Sequence, residues 1–472
     1  LAEKHGAERW IDLDYRPVLW GLGGKGDGET RFIADDGVTE HLQGIAAHLD
    51  VIVGTEEEFH IAGGSTDTIA CLRTLRALTA ATFVVKLGHM GCAVFEGSIP
   101  DSIEAGLIVE GFPVEVFNVL GAGDAFMGGL LTGRLEGRGW AEACRFANAC
   151  GALAVSRHAC APAYPSREEL DHFLANGSPH FRLREDARLE RLHRNSTRHG
   201  VWPEVLAFAF DHRAHLEALS DDPARIAAFK SLCADVLTAA QDRHPERQLG
   251  ALCDHRFGQD ALDRLTGRGL WLAAPIERPG SRPLTFEGGA SLAGTLHNWP
   301  RTHCVKCLVS WHPDDPEALR QEQEARLVEL YEVTRAERLE LLLEIIPPAG
   351  SDIARDTVAR AMEQIYALGI TPDWWKLKAP DDPASWYAWE KVIPAHDPHC
   401  QGVLILGLDA PLGEVAADLA ACRAHPLCKG FAVGRTVFGE AAKAWFSDEI
   451  DDSTARAQMA ERLDTLIAAF AP

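Results

Sequence analysis

Short apolar runs separated by helical patterns fill the second half of the chain. The runs are Val205–Phe210, Gln248–Cys253, Leu270–Ala274, Cys304–Val309, Leu339–Ile346, Trp374–Lys378, Gly402–Leu406 and Gly430–Val433. Amphipathic helical patterns separate most of them, for example over 224–240 and 353–368. Eight strand–helix units in about 270 residues agree in number and length with a (β/α)8 TIM barrel. A doubly wound sheet would usually have a glycine fingerprint after its first strand, and this sequence has none.

The first part of the chain also alternates strand-like and helical segments. The strand-like segments are Trp10–Asp14, Val51–Val53, Phe83–Leu87 and Ala93–Phe95, and a helical pattern covers 70–78. Strands that alternate with helices predict a parallel sheet. We therefore predict an α/β domain over residues 1–175, a linker over 176–199 and the barrel over 200–472.

One strand of the predicted barrel carries two lysines among apolar residues. Within Trp374–Lys378, the period of two places Lys376 and Lys378 on the same face. An ammonium group inside a ring of strands is costly to bury, and desolvation favours its neutral form. A neutral lysine can attack a ketone and form a Schiff base. The alternative is an edge strand with two solvated lysines, and the sequence does not decide which of the two would react.

Charged residues also stand at the ends of other predicted strands, where barrel enzymes place their chemistry. They are Asp211 and Arg213 after the first strand, Lys306 on the fourth and Glu344 on the fifth. Each of them alone could have a structural role. Burial of the whole set without partners would cost several kcal/mol per group. We therefore predict that they pair with one another or with a ligand.

Glycines and an arginine follow the last two predicted strands. Gly407 comes after the seventh strand, and Gly434 and Arg435 come after the eighth, where barrels commonly bind a phosphate group. The planar guanidinium of Arg435 can bind phosphate through paired hydrogen bonds. The alternative is a surface arginine without a ligand.

Composition restricts the partners of the chain. The formal net charge of −23 argues against non-specific binding to nucleic acid or to an anionic membrane. The sequence has no apolar run of about 18 residues and no signal-peptide pattern. Apart from Cys304 and Cys307, which we expect to be core thiols on a buried strand, the 12 cysteines have no metal-binding spacing. We predict a cytoplasmic homo-oligomer that acts on a small molecule and has no nucleic-acid or membrane partner.

A glycine-rich motif precedes a helical run in the first part of the chain. Gly121, Ala122 and Gly123 are small enough to let backbone N–H groups converge on an anion at the start of a helix. Asp124 follows them and could accept a proton from an alcohol during phosphoryl transfer. The alternative is a glycine turn in which Asp124 caps the helix.

The segments around this motif resemble the ribokinase/PfkB family of sugar kinases. Asn118–Phe126 is similar to the family signature, Thr55–Glu58 to its magnesium-associated segment and Val85–Gly91 to its nucleotide-side strand and loop. The resemblance implies ATP and Mg²⁺ as cofactors, with Asp124 as the catalytic base and Glu58 as an indirect holder of the metal. It places the bound nucleotide or its anion hole beside Gly121, Ala122, Gly123, Lys86, Gly88 and Asn148.

Two features depart from this family. Thr55 stands where the family usually has asparagine. The N-terminal half of the kinase, with its first strands and lid, is not part of this sequence. We therefore expect a truncated or remodelled kinase domain that does not phosphorylate a substrate by itself.

The charged barrel strands resemble the tagatose-bisphosphate class I aldolases. Val305–Asp315 is similar to the fourth strand segment of these enzymes, and Leu343–Ile345 and Trp375–Leu377 are similar to the next two. The resemblance implies a Schiff-base lysine on the sixth strand. Lys378 stands where these enzymes commonly have a carboxylate, and it could bind a substrate anion. The two-part chain resembles the inositol-catabolism fusion of a 5-dehydro-2-deoxygluconokinase with an aldolase-like domain of unknown function, DUF2090.

This resemblance implies a class I aldolase that needs no cofactor. The expected reaction cleaves 2-deoxy-5-keto-gluconate 6-phosphate to dihydroxyacetone phosphate and malonate semialdehyde. In this mechanism Lys376 forms the imine and Glu344 or Asp211 moves protons. Lys306 helps to tune the site. The phosphate is expected beside Gly407, Gly434 and Arg435, which follow the last two strands, and Arg213 is also expected to bind the substrate.

Three other functions stay open. The first part could be an ATP-dependent sugar kinase that acts through Asp124. It could instead be a degenerate kinase domain that serves as an oligomerisation scaffold for the barrel. A metal-dependent aldolase built on His212, His255 and His303 is the third.

Overall fold

The chain forms two compact units, Leu1–Arg198 and His199–Pro472. The computed structural model describes residues 2–23, 32–198, 200–289, 291–380 and 382–471. Within these ranges, no helix combines the length and the apolar composition that crossing a lipid bilayer requires.

The first unit contains a sheet that is partly parallel and partly antiparallel. Its described strands are β1 (Trp10–Asp12), β2 (Val51–Thr55), β3 (Thr82–Lys86), β4 (Gly91–Phe95) and β5 (Leu107–Glu110), in that order across the sheet. Strands β1, β2 and β3 are parallel as predicted, whereas β4 and β5 run antiparallel to their neighbours. The parallel prediction is wrong for β4 because the turn Gly88–Met90 is too short for a crossover connection.

Helices cover both faces of this sheet. They are α1 (Ala2–His5), α2 (Asp36–Ala46), α3 (Glu56–Gly63), α4 (Thr68–Arg76), α5 (Ala122–Leu135), α6 (Trp140–Val155), α7 (Arg167–Asn176) and α8 (Ala187–Ser196). On one face Phe83 packs in a cluster with Phe59 of α3. On the other face the next strand residue, Val84, packs with Phe126 of α5. Successive residues of β3 thus bury opposite faces of the sheet.

Residues 176–199, predicted to be a linker, contain α8, which packs on the first unit. Leu189 of α8 lies in one apolar cluster with Leu170 of α7. The buried guanidinium of Arg157 pairs with Glu190 of α8 at 2.7 Å. This helix therefore belongs to the packing of the first unit.

Parallel strands of the second unit close into a barrel, which confirms the predicted fold. The strands are β6 (Val205–Ala209), β7 (Leu249–Leu252), β8 (Trp271–Pro275), β9 (His303–Ser310), β10 (Leu341–Ile346), β11 (Trp374–Lys378), β12 (Gly402–Leu406) and β13 (Cys428–Val433). Their order around the ring follows the chain, and β13 closes on β6. Each strand overlaps one of the predicted apolar runs.

Helices pack on the outside of this barrel. They are α9 (Arg213–Glu217), α10 (Pro223–Arg243), α11 (His255–Leu265), α12 (Leu292–His297), α13 (Glu317–Ala336), α14 (Thr357–Ala367), α15 (Ala384–His396), α16 (Leu412–Cys422), α17 (Arg435–Phe446) and α18 (Asp452–Ala469). Outward-facing strand residues contact these helices. Trp375 of β11, for example, donates its indole N–H to the Tyr366 hydroxyl of α14 at 2.9 Å.

The interior of the barrel changes from apolar to charged along the strands. Trp271, Leu342, Trp374 and Leu404 belong to one buried apolar cluster. On β11 the next inward position after Trp374 is Lys376, because side chains on one face recur every second residue. The same alternation on neighbouring strands brings charged side chains together at the carboxyl end of the barrel.

Candidate functional site

Three carboxylates surround the ammonium group of Lys306 at the carboxyl end of the barrel. Its Nζ lies 3.0 Å from Glu277 Oε1, 3.1 Å from Glu344 Oε2 and 3.4 Å from Asp211 Oδ2. None of the four residues is more than 6% exposed. Buried charges of this kind require such partners. The contacts agree with the pairing that the sequence predicts.

The strand register explains why these groups meet. Glu344 on β10 is paired in register with Lys376 on β11, so both side chains point into the barrel side by side. Lys306 on β9 pairs with Leu342, which lies two residues before Glu344 on the same face of β10. Asp211 lies two residues after the end of β6 and continues the inward-facing series of that strand.

Lys376 and Lys378 have different surroundings although they share a strand face. Lys376 is 5% exposed, and its Nζ donates to Glu344 Oε2 at 3.1 Å. Lys378 is exposed at the end of the strand and does not line the cavity that Lys376 reaches. The geometry therefore favours Lys376 as the amine that faces a substrate.

The cluster shifts the pKa of its lysine and of its carboxylates in opposite directions. Burial alone would lower the pKa of Lys306, but the three surrounding carboxylates outweigh burial and raise it well above its usual range. Burial would raise the pKa values of Asp211 and Glu344, yet the nearby lysine cations lower both. At neutral pH, Lys306 is therefore a cation and the two carboxyl groups are anions.

A cavity of about 240 Å³ lies against this cluster. Apolar side chains form part of its wall, including Leu308, Ile346 and Leu406. The predicted site residues that line it are Asp211, Arg213, Lys306, Glu344, Lys376, Gly407, Gly434 and Arg435. A concave cavity in which polar groups converge beside apolar walls is typical of a small-molecule site.

The start of α17 forms one side of the cavity. A Cβ on Gly434 would lie 2.1 Å from the carbonyl oxygen of Ala209, so only glycine fits where α17 approaches β6. The next residue, Arg435, is half-buried, and its Nη1 lies 3.3 Å from Asp409 Oδ2. Gly434, the residue before this helix, has no side chain with which to cap the helix start. A helix N-terminus beside a guanidinium favours an anion such as phosphate.

His212 is a neutral side chain among these charges. It lines the cavity, and its Nδ1 lies 3.6 Å from Asp211 Oδ1. Burial lowers the pKa of His212 to about 3, and the cations Lys376 and Arg435 add to this effect against the Asp211 carboxylate. The sequence suggested a role for His212 only as a metal ligand.

Glu277 belongs to the cluster but is missing from the sequence-based predictions. It lies two residues after β8, where the inward-facing series of that strand continues. Its Oε1 accepts a hydrogen bond from Lys306 at 3.0 Å, and its Oε2 accepts one from the Leu308 N–H at 3.2 Å. Extending the period of two past the predicted end of the strand at Ala274 would have identified this residue.

Arg213, predicted to bind substrate, is held by protein groups. Its Nη2 donates to Glu277 Oε1 at 3.0 Å, and its Nη1 donates to the Glu277 carbonyl at 2.9 Å and to Glu287 Oε2 at 2.7 Å. The residue is 4% exposed. Its contacts therefore fix the segment 277–287 beside the cavity.

The histidines of the metal-dependent alternative do not form one site. The rings of His255 and Trp299 pack with centroids 4.4 Å apart, and His303 Nε2 lies 2.9 Å from the Thr266 hydroxyl. Neither histidine lines the cavity that contains His212. In the part of the chain that the structure describes, no group of three or more His, Cys, Asp or Glu side chains is placed to hold a metal ion.

The first unit has a cavity of its own, of about 310 Å³. The residues predicted for the kinase site that line it are Glu58, Lys86, Gly88, Gly121, Ala122, Gly123, Asp124 and Asn148. Gly121 precedes the 14-residue helix α5 with a left-handed φ of 80°. A Cβ there would lie 2.5 Å from Cys160 Sγ, so the turn requires glycine. Backbone N–H groups at this helix start can bind an anion.

The charged residues of this cavity pair with one another. Lys86 Nζ lies 2.7 Å from Asp12 Oδ1 and 3.8 Å from Glu58 Oε2. Glu58 also accepts a hydrogen bond from the Thr55 N–H at 2.7 Å as part of a capping box for α3. Burial raises the pKa values of Asp12 and Glu58, although Lys86 opposes the change. Glu58, predicted to hold magnesium indirectly, therefore also caps a helix.

Asp124 and Asn148 have protein partners too. The Tyr164 hydroxyl donates to Asp124 Oδ2 at 3.2 Å. Asn148 Nδ2 donates to the carbonyls of Val109 and Glu110 at 2.9 and 3.0 Å, so this amide holds β5. Tyr164 is a member of this site that the sequence motifs did not predict.

Two family models match the chain, one in each part. The family described as an uncharacterized protein conserved in bacteria, DUF2090, matches residues 169–471. The pfkB family of carbohydrate kinases matches residues 29–167. These matches confirm the predicted combination of a PfkB-type part with a DUF2090 barrel.

Curated relatives match the first part of the chain. A 5-dehydro-2-deoxygluconokinase of Photobacterium profundum is 33% identical over 173 residues, which cover 35% of this chain and 46% of the relative. A protein of the same name from Bacillus licheniformis is 26% identical over 179 residues, 37% of this chain and 49% of the relative. The chain thus spans about half the length of the curated relatives it matches. A fructokinase structure from Vibrio cholerae is 27% identical with a TM-score of 0.30, covering 37% of this chain and 52% of that one.

Proposed function

This chain belongs to the DUF2090 family, and we propose that its barrel is a class I aldolase, a carbon–carbon lyase that works through a lysine imine. The observation that carries the proposal is Lys376, which is buried at the charged end of the barrel with its Nζ 3.1 Å from Glu344. A lysine that faces a cavity and contacts a proton acceptor has the surroundings that attack on a carbonyl requires.

Imine formation begins with the amine of Lys376. Proton transfer along its hydrogen bond to Glu344 gives the neutral amine, which adds to the ketone carbon of the substrate. Glu344 returns this proton to the departing hydroxyl group, and loss of water leaves a protonated imine. Glu344 or Asp211 then takes the proton of the hydroxyl group across the bond to be broken. The bonding electrons move into the imine to give an enamine, and its protonation and hydrolysis release the ketone product and restore Lys376.

The other charged residues of the cavity support these steps. Lys306 stays protonated and holds the carboxylates of Glu344 and Asp211 at 3.1 and 3.4 Å. Arg435 and the first N–H groups of α17 bind the phosphate group of the substrate. Gly434 and Gly407 keep the backbone close to that group. The imine accepts the electrons of the broken bond, so the barrel needs no metal or organic cofactor for this step.

The proposed substrate is 2-deoxy-5-keto-gluconate 6-phosphate, cleaved to dihydroxyacetone phosphate and malonate semialdehyde. Relatives of the first part are named 5-dehydro-2-deoxygluconokinase, and a kinase of that name would supply this phosphorylated keto acid. Its ketone lies between the phosphate and the bond to be broken, as the imine mechanism requires. Arg435, Lys376, Glu344 and Asp211 all line the cavity, which supports this choice of substrate.

The test is release of dihydroxyacetone phosphate from this substrate by the purified chain. We expect activity in the wild type that persists in the presence of EDTA. Lys376→Met should abolish it, whereas Lys378→Met, at the exposed end of the same strand, should retain most of it. Full activity of Lys376→Met would contradict the proposal.

A second candidate function is sugar phosphorylation by the first part of the chain. The observation in its favour is the cavity at the start of α5, where the glycine turn and Asp124 lie together. The N–H groups of this helix start would hold the phosphates of ATP, and Asp124 would accept the proton of the substrate hydroxyl. Glu58 would hold Mg²⁺ indirectly. ATP-dependent phosphorylation that is lost in Asp124→Asn but kept in Lys376→Met would support this function, and its absence in the wild type would contradict it.

A further inference from the structure

Two buried lysines face the barrel cavity, and either could in principle become its reactive amine. Lys306 is 4% exposed and Lys376 is 5% exposed, and both line the cavity. Both also contact the same atom, Glu344 Oε2, each at 3.1 Å. Burial and this shared contact therefore do not distinguish the two lysines.

The remaining carboxylates do distinguish them. Lys306 also lies 3.0 Å from Glu277 Oε1 and 3.4 Å from Asp211 Oδ2. Among the residues that the structure describes, Lys376 forms its ion pair with Glu344. Each added carboxylate at this distance stabilises the protonated form of an amine. The cationic form of Lys306 is therefore stabilised by two carboxylates in addition to the one that it shares with Lys376.

Glu277 is fixed in the position from which it acts on Lys306. Its carboxylate accepts hydrogen bonds from Arg213 Nη2 at 3.0 Å and from the Leu308 N–H at 3.2 Å. Arg213 also binds the backbone carbonyl of Glu277 at 2.9 Å. The residue is 4% exposed. These contacts hold the carboxylate against Lys306 and prevent it from rotating freely toward another amine.

We infer that Glu277 is a positioning residue that keeps Lys306 protonated and thereby assigns imine formation to Lys376. The inference rests on the proposed aldolase function and adds Glu277, which the sequence did not predict, to the residues that serve this function. Without the negative charge of Glu277, Lys306 becomes a second amine that can add to a carbonyl carbon, lose water and form an imine.

The experiment traps imines with dihydroxyacetone phosphate and sodium borohydride. Borohydride adds hydride to the imine carbon and leaves a stable secondary amine, whose position peptide mass mapping identifies. In Lys376→Met, Lys306 should give little adduct. In Lys376→Met with Glu277→Gln, the adduct at Lys306 should increase about tenfold or more, since loss of one nearby opposite charge changes the neutral fraction of an amine by at least that factor.

Glu287→Gln supplies the matched control in the Lys376→Met background. Glu287 binds the same Arg213 at 2.7 Å but is not one of the carboxylates around Lys306. This change should leave the Lys306 adduct at its low level. A second readout is pH: in the double variant the rise of the Lys306 adduct with pH should begin at a lower pH than in Lys376→Met alone, because one carboxylate that stabilises the cation of Lys306 is gone. Glu277→Gln alone should give adducts at both lysines.

The outcomes separate this inference from the proposed function. A Lys306 adduct of equal size with and without Glu277→Gln overturns the inference. An unreactive Lys306 in the double variant also overturns the inference, when the wild type reacts at Lys376 and the double variant unfolds at the same temperature as Lys376→Met. If the wild type gives no adduct at any lysine, the aldolase proposal fails and the inference fails with it.

Discussion

Replacing Lys306 by methionine should destabilise the barrel strongly, because three carboxylates would lose their shared cation. Asp211, Glu277 and Glu344 all lie within 3.4 Å of Lys306 Nζ, and none is more than 6% exposed. Removing one partner from a buried ion pair costs about 3–5 kcal/mol. We expect the free energy of unfolding of Lys306→Met to fall by about 3–5 kcal/mol at pH 7.

Urea unfolding of the full chain measures this change, with the fluorescence of buried tryptophans such as Trp374 as the signal. Adding Asp211→Asn to Lys306→Met should recover about 1–3 kcal/mol, because among the described residues Lys306 is the cation paired with Asp211, whereas Glu277 keeps Arg213 and Glu344 keeps Lys376. Lys378→Met at the exposed strand end should change stability by less than about 0.5 kcal/mol. A Lys306→Met chain as stable as the wild type would refute the reasoning, as would a double variant less stable than the single one.

Three further predictions concern the pH dependence of stability, the phosphate site of the barrel and the first unit. The stability of the chain should fall as the pH drops below about 4. Folding lowers the pKa values of Asp211 and Glu344, so the stability that these carboxylates contribute is present above their unfolded pKa values and is lost as the pH falls through their folded pKa values. Urea unfolding at pH values from about 3 to 7 tests this, and a flat profile would contradict it. Arg435→Ala should raise the KM for the phosphorylated keto acid about tenfold or more, with a smaller effect on kcat, since a hydrogen bond to a charged group contributes about 1.5–3 kcal/mol; an unchanged KM would remove Arg435 from the phosphate site. Asp124→Asn should leave the release of dihydroxyacetone phosphate unchanged, and a matching loss of lyase activity would show that the two units do not act separately.

The barrel was predictable because each of its strands is buried on both sides. Such strands are nearly continuous apolar runs, which stand out from the helical patterns between them. The period of two then predicted that Lys376 points inward, and the structure places it 3.1 Å from Glu344. The first unit was harder to predict. The edge strand Leu107–Glu110 is largely exposed and has no alternating pattern, and the turn after β3 made β4 antiparallel.

Glu277 is the member of the charged cluster that the sequence did not predict. Glu277 follows β8 in a segment whose path depends on Arg213 and Glu287, residues distant in the chain. The period of two gives the inward direction of Glu277, but these distant residues fix where its carboxylate lies. For the same reason the sequence predicted Arg213 as a substrate ligand, since its acidic partners were not known.

Imine trapping in the wild-type chain tests directly whether Lys376 is the residue that forms the imine. The chain is incubated with dihydroxyacetone phosphate and sodium borohydride, and the modified peptide is identified by mass spectrometry. We predict one adduct, at Lys376, that disappears in Lys376→Met and is unchanged in Lys378→Met. An adduct at Lys378, or no adduct on any lysine of the wild type, would contradict it.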